Sequence, residues 1–383
     1  MNLLSARRGM LRFIAPLAVV AVVAGGVALA SASRSDSAPP SLPPRTAEQL
    51  LADVANARVP GLSGTVVETA RLGLPSLPSL GGNGSASLTG LVSGSHTVRV
   101  WLNGEDRARL AVTGSLAESD VIRNRQDLWI YSSQDNTAVH YRLTGHERPA
   151  PPEAGGALSP LEAARQVIAA ITPTTNVQVE RNARVAGRDV YQIRLSPKDQ
   201  RSLIDSAVLA VDGQTKVPLR VQLLAKGKDD PAFEVGFTQV QFRAPADEVF
   251  QFTPPPGAKV TDKRPDGSGA PGHQGGPPEH GTPAAGGPAV LGESWTSVLV
   301  VPDVNAGGAS GPGRDAAAVR DLLRAMTPVQ GAFGHGRMLR TTLLTVLLTD
   351  DGRLYAGAVT PEAIQAAAAQ PLSAAKPLEG RGR

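Results

Sequence analysis

His96-Thr-Val-Arg-Val-Trp-Leu102, a turn at Asn103-Gly104, and then Arg107-Ala-Arg-Leu-Ala-Val112 decide the fold of this chain. Apolar residues take every second place in both runs: Val98, Val100 and Leu102, then Ala108, Leu110 and Val112. Arg99, Arg107 and Arg109 fill the places between them. A repeat of two is that of a β-strand, and one apolar face against one charged face marks an antiparallel sheet wet on one side. Asn-Gly between two such runs is a hairpin signal.

The same pattern extends in both directions. Leu128 and Ile130, then Val139, Tyr141 and Leu143, continue the apolar face downstream, followed by Tyr191, Ile193 and Leu195, and by Leu219, Val221 and Leu223. His140, Arg142, Arg194 and Arg220 point the other way. LSGTVVETARL from Leu62 and EVFQF from Glu248 read as further strands, with turns at Ala186-Gly187 and Asp212-Gly213. Two helices accompany them. Thr46 caps AEQLLADVANARV, with Leu50, Leu51 and Val54 on one face, and Ser159-Pro160 opens LEAARQVIAAI. Ten or so strands must curl, because each is rotated by roughly 20–25° on its neighbour. The expected fold is α+β, mainly β: a curved antiparallel sheet forming an unclosed half-barrel, with helices covering the concave face and too little helix to fill it.

The flanks are of a different kind. Arg7, Arg8 and Arg12 precede an uncharged apolar run from Phe13 to Ala30, with small residues at Ala28, Ala30 and Ala32. Residues 1–32 therefore read as a signal peptide or an N-terminal membrane anchor, either retained or cleaved near Ala30, with everything downstream exported. Residues 33–45 are a Ser/Pro spacer, and 46–262 the half-barrel. Residues 263–290 form a Pro/Gly-rich linker too poor in apolar surface to fold. Residues 291–370 read as a strand–helix–hairpin–helix extension that docks on the main sheet and lengthens it, and 371–383 as a tail. Among 383 residues there are 41 Gly, 32 Pro and no Cys, which excludes disulfides, thiolate metal sites and cysteine nucleophiles. The net charge of +4 comes from scattered arginines and gives no nucleic-acid footprint. No hydrolase, P-loop, zincin or dinucleotide motif occurs. Catalytic residues, metal ligands and cofactors are accordingly expected to be none. His96 and His140 are assigned to strand ends or outward positions, and Asp120, Asp127 and Asp135 to turns.

Phe250-Gln-Phe-Thr-Pro-Pro-Pro-Gly-Ala-Lys-Val260 resembles the F-x-F-x-P-P-x-G-x-x-V close of the LolA family of periplasmic lipoprotein carriers and its RseB/MucB relatives. Arg125-Gln-Asp-Leu-Trp-Ile-Tyr131 is similar to the family's L-W-x-Y strand. Val190-Tyr-Gln-Ile-Arg-Leu-Ser-Pro197, Val208-Leu-Ala-Val-Asp-Gly213 and Val217-Pro-Leu-Arg220 are similar to its Y-x-L-x-P … L-x-I-D … P-x-R run. The resemblance implies an open barrel with an apolar pocket for acyl chains. It also implies a lid-gating arginine, whose nearest counterparts are Arg107 and Arg109, although the Arg-Pro corner of the family is here Asn103-Gly-Glu-Asp-Arg-Ala-Arg-Leu110 without the proline.

The residues expected to line a lipid cavity are Val98, Val100, Leu110, Val112, Ile130, Tyr141, Ile193, Val221, Phe233, Val235 and Phe237. Leu50, Leu51 and Val54 are the expected lid. The uncharged insertion from Leu72 to Leu91, with Leu72, Leu74, Leu77 and Leu80, reads as a loop that caps the barrel mouth or touches a membrane or partner. Burying an acyl chain gains ~0.8 kcal/mol per CH₂, so chains could be held without a polar anchor. The function expected is that of an exported protein binding lipid or lipoprotein acyl chains. The alternative, implied by the resemblance, is a sensor that binds the extracytoplasmic part of an anti-sigma factor.

Overall fold

The computed structural model describes residues 41–73, 94–104, 106–113, 118–143, 169, 171–263, 287–302, 304 and 323–377. The expected leader or anchor, most of the Ser/Pro spacer, Leu74, Leu77 and Leu80, nearly all of the helix after Pro160, the Pro/Gly linker and the tail end lie outside them. No helix among the described residues is long and apolar enough to cross a membrane.

Two sheets make up the described fold. The first has thirteen strands. In chain order these are β1 (Gly61–Ala70), β2 (Gly94–Asn103), β3 (Arg107–Thr113), β4 (Glu118–Asn124), β5 (Asp127–Ser132), β6 (Thr137–Arg142), β7 (Thr175–Val179), β8 (Ala183–Val185), β9 (Arg188–Pro197), β10 (Ile204–Asp212), β11 (Pro218–Ala225), β12 (Pro231–Gln241) and β13 (Lys259–Lys263). Their order across the sheet is β13-β6-β5-β4-β3-β2-β1-β12-β11-β10-β9-β7, with β8 also on β9, and the two ends do not meet. The pairing is antiparallel except at one edge, where β13 lies parallel to β6. The hairpins follow their turn chemistry: Gly104, Gly187 and the non-glycine Arg125, Asn136 and Ala186 all take positive φ between consecutive strands.

The register carries the alternation across the sheet. Val66, Val98 and Val112 lie abreast, as do Val100, Leu110, Val121, Ile130 and Val139. Directly opposed residues of neighbouring strands share a face. One mainly apolar face therefore runs from β6 to β9. Its centre is closed core, with Val66, Val98, Val100, Val221 and Val235 all buried. The helix α1 (Ala47–Asn56) lies over the β7–β9 end of this face. It opens on a capping box in which Gln49 N donates to Thr46 Oγ1 and Thr46 N to Gln49 Oε1. A helix of this length is marginal alone; Leu50 holds it down, fully buried against Tyr191 and Ile193 with Leu51 beside it.

Two readings of the sequence need correcting here. Glu248–Phe252 is not a strand: Asp247–Phe250 is a 3-10 turn, and the Pro-rich run after it crosses the outer face before pairing as β13. The segment from Ala289 does not lengthen the first sheet. It builds a separate seven-stranded sheet, β16-β17-β18-β19-β15-β14-β20, from β14 (Ala289–Leu291), β15 (Val298–Val301), β16 (Thr327–Gly331), β17 (Gly334–Arg340), β18 (Thr345–Thr349), β19 (Leu354–Gly357) and β20 (Lys376–Pro377). Its own core of Leu291, Val298, Val300, Met338, Leu347 and Tyr355 is closed by Ile364 of the helix α2 (Pro361–Ala368).

Several contacts among the described residues join the sheets. Trp295 Nε1 donates to Thr175 Oγ1 at 2.8 Å. Leu203 N donates to the Ala358 carbonyl and Thr360 N to that of Arg201, both at 2.8 Å. Leu343, in the turn between β17 and β18, packs against Ala225 and Ala232 with Leu72, Leu223 and Phe233 around it.

Candidate functional site

The concave face divides the expected cavity residues into two groups. Val98, Val100, Ile193, Val221 and Val235 are buried core, each at most 8% exposed. Leu110, Val112, Tyr141, Phe233 and Phe237 are half-buried, and Ile130 keeps 40% of its surface. Leu102, on the same face, keeps 38%. An apolar strip thus runs out of the core toward β5 and β6 with water still reaching it, whereas α1 covers only the opposite end. Of the expected lid, Leu50 is buried and Leu51 and Val54 are half-buried on that end.

The expected gate is elsewhere. Arg107 and Arg109 share a face with Ala111, opposite to Leu110 and Val112, and so point away from the hollow. Arg109 forms a bidentate pair with Asp120, Nε to Oδ1 at 3.1 Å and Nη2 to Oδ2 at 3.0 Å. Its Nη1 donates to the Val249 carbonyl at 3.3 Å. Arg107 pairs with Asp247. Both arginines therefore tie the crossing segment to the outer face, and Asp120 is a buried ion-pair partner rather than a turn former. Phe250, 1% exposed, seats in that face beside β3 and β4, where Ala111 and Ile122 are buried. Phe252 lies 5.4 Å from Trp129 and 5.5 Å from Tyr131. His140 stacks on Trp129 and bridges Asp127 (2.9 Å) and Asp262 of β13 (2.8 Å), fastening the far end of the strap. The Phe-x-Phe-x-Pro-Pro signature is thus a clasp on the convex side.

Of the residues of the expected membrane or partner loop, Leu72 is among those described. It is half-buried, its carbonyl accepts from Thr342 N at 2.7 Å, and it packs on the second sheet.

One pair on the concave face was missed. Glu68 stands opposite Val235 on one side and His96 on the other. It closes a row that otherwise reads Ile193, Leu209, Val221, Val235. Glu68 is 5% exposed. Burial pushes its carboxyl up to about 7 and holds the His96 imidazole below its ordinary value. His96 faces inward, not outward, because it shares the parity of Val98 and Val100. The signal was present in Leu62-x-Gly64-x-Val66-x-Glu68-x-Ala70, where an acid falls on the apolar side.

Two charged clefts among the described residues lie away from the apolar strip. One of about 280 Å³ is lined by Arg184, Arg188, Asp189 and Asp212. The other, of about 430 Å³, lies between Arg71, the Gly227–Pro231 turn and Thr342. Among the described residues no group of three or more acidic or histidine side chains could hold a metal ion.

A large open sheet with an apolar face that solvent still reaches at Leu102 and Ile130 is a fold of the half-barrel class. Residues 89–254, most of that half-barrel, match the family model described as the MucB/RseB N-terminal domain. Among solved structures the chain is similar to MucB in the MucA/MucB complex of Pseudomonas aeruginosa, at 17% identity over 84% of this chain and 96% of that one, with a TM-score of 0.40. It is also similar to MucB in complex with MucA(peri), at 15% identity over 84% and 97% (TM-score 0.41). A LolA superfamily protein from Nitrosomonas europaea aligns at 16% identity over 55% and 99% (TM-score 0.21). No curated protein matches the chain at a significant level.

Proposed function

We propose that this protein is an exported, non-catalytic carrier that binds lipid or lipoprotein acyl chains in its half-barrel. The observation that supports this reading is the apolar strip of the concave face, which leaves the buried core at Val100 and reaches solvent at Leu102 and Ile130. Contiguous apolar surface kept wet on a folded protein marks a binding site. The mechanism is non-covalent: the chain lies along Leu110, Val112, Ile130 and Tyr141, and each buried CH₂ contributes ~0.8 kcal/mol. The N-terminal apolar run with its arginines supports export, either tethered to the membrane or released.

The test is to express residues 46–383, extract the purified protein with organic solvent and analyse the extract by mass spectrometry. Stoichiometric lipid supports carriage; an extract free of lipid, from protein that also binds no added acyl probe, contradicts it.

A second reading follows from the MucB/RseB match together with the second sheet, which has its own core and leaves a separate surface for a protein. It makes the chain a regulatory sensor that binds the extracytoplasmic part of an anti-sigma factor. Specific capture of one single-span anti-sigma factor by lipid-free protein would favour it.

A further inference from the structure

Glu68 and His96 are the polar break in the apolar row of the concave face. Glu68 is 95% buried by its exposure of 5%, and its Oε2 has no hydrogen-bond partner. His96 Nδ1 is likewise without a hydrogen bond and stands 3.8 Å from that oxygen, too far to satisfy it. An unmade hydrogen bond at a buried group is destabilising, so a pair of them in one place is expensive to keep without a use. Hydrophobic neighbours supply nothing to either atom: Val235 stands opposite, Val66 and Val98 lie one step along the same face, and Phe233 pairs with Ala70. On the other side there is room. The next pair on this face is Ala70 and Gly94, and no atom of the described residues lies within 4 Å of the place a Gly94 Cβ would occupy.

We infer that Glu68 and His96 are a polar anchor inside the hollow that selects acyl ligands ending in a neutral primary amide. The inference deepens the acyl-binding reading and rests on it. A protonated Glu68 carboxyl donates its O–H to the amide carbonyl, and His96 Nδ1 accepts the amide N–H when its proton is on Nε2. A primary amide is matched because its carbonyl and the N–H on the same edge offer one acceptor and one donor side by side, whereas a trans secondary amide points them in opposite directions. An ester offers only the acceptor and leaves Nδ1 unsatisfied, and an anionic headgroup sets charge against a buried acid.

The test uses the full chain and two neutral probes of equal chain length, hexadecanamide and methyl hexadecanoate. One added hydrogen bond of about 1–1.5 kcal/mol makes the expected preference for the amide about five- to tenfold. Glu68→Met and His96→Leu each abolish the preference while ester binding holds or improves. Glu68→Gln, which keeps a hydrogen-bonding side chain of the same shape, serves as the folded control and retains part of it. Equal binding of both probes by the wild-type chain overturns the anchor alone, as does a preference that survives Glu68→Met. Binding of neither probe overturns the acyl reading and the anchor together.

Discussion

At the scale of single residues, Glu68 makes the stability of this protein depend on pH in an unusual direction. A carboxyl whose folded value is raised from 4.5 to about 7 is protonated more readily in the folded state than in the unfolded one. Its contribution is fully present below pH 4.5 and is lost as pH rises through about 7, roughly 3 kcal/mol in all at 1.36 kcal/mol per pH unit. His96, lowered from 6.5, acts in the opposite sense: its contribution holds above pH 6.5 and is lost as pH falls. The urea midpoint of the wild-type chain should therefore decline from pH 6 to pH 8 relative to that of Glu68→Gln. Identical pH profiles for the two proteins would show that the carboxyl is not held in the apolar row. The acid was legible in the alternation, since position 68 falls on the inward side. Its meaning was not, because a break in an apolar pattern looks the same whether the group is buried or the pattern is imperfect.

Among elements, the outer strap carries the clearest lesson. Phe250 and Phe252 alternate as a strand would, so sequence reasoning pairs them into the sheet. The chain instead turns at Asp247–Phe250 and places both rings on side chains of the convex face. Period two is common to strands and to extended segments that dock through rings, and only the partner distinguishes them. Phe250→Ala empties a fully buried site, and the expected cost is ~3–5 kcal/mol, measured as a lower urea midpoint at unchanged slope. A loss under 1 kcal/mol would mean that the strap is not part of the cooperative core. Arg107 and Arg109 were misplaced for a related reason. Their outward parity was plain from Arg107-Ala-Arg109, but the family resemblance suggested a gate, and the carboxylates they meet, Asp247 and Asp120, are set by the fold. The seven-stranded sheet was hidden because Thr327–Gly331 and Gly334–Arg340 contain Pro and Gly with little apolar alternation, leaving one visible hairpin at Leu347 and Tyr355.

At the scale of the whole molecule, the turn holding Leu343 joins the two sheets at the rim of the hollow. Leu343 packs beside Phe233 and Leu223, which belong to the inward face, and Thr342 N holds the Leu72 carbonyl where β1 leaves the sheet. Leu343→Asp puts a charge into that apolar contact. The expected result is a split of the single thermal transition into two, with the half-barrel and the second sheet melting separately; one unchanged transition would show that the contact does not couple them. The half-barrel itself was readable at this scale from Val98 to Val112 outward, because alternation over so many strands admits few other shapes.

The central claim is that the concave face holds an acyl chain by burying its methylenes. It is tested most directly by measuring the affinity of the full chain for a series of acyl amides that differ only in length. The account predicts that affinity rises roughly fourfold for each added CH₂, equivalent to ~0.8 kcal/mol, until the strip from Val112 to Tyr141 is filled. Affinity that does not change with chain length would contradict it.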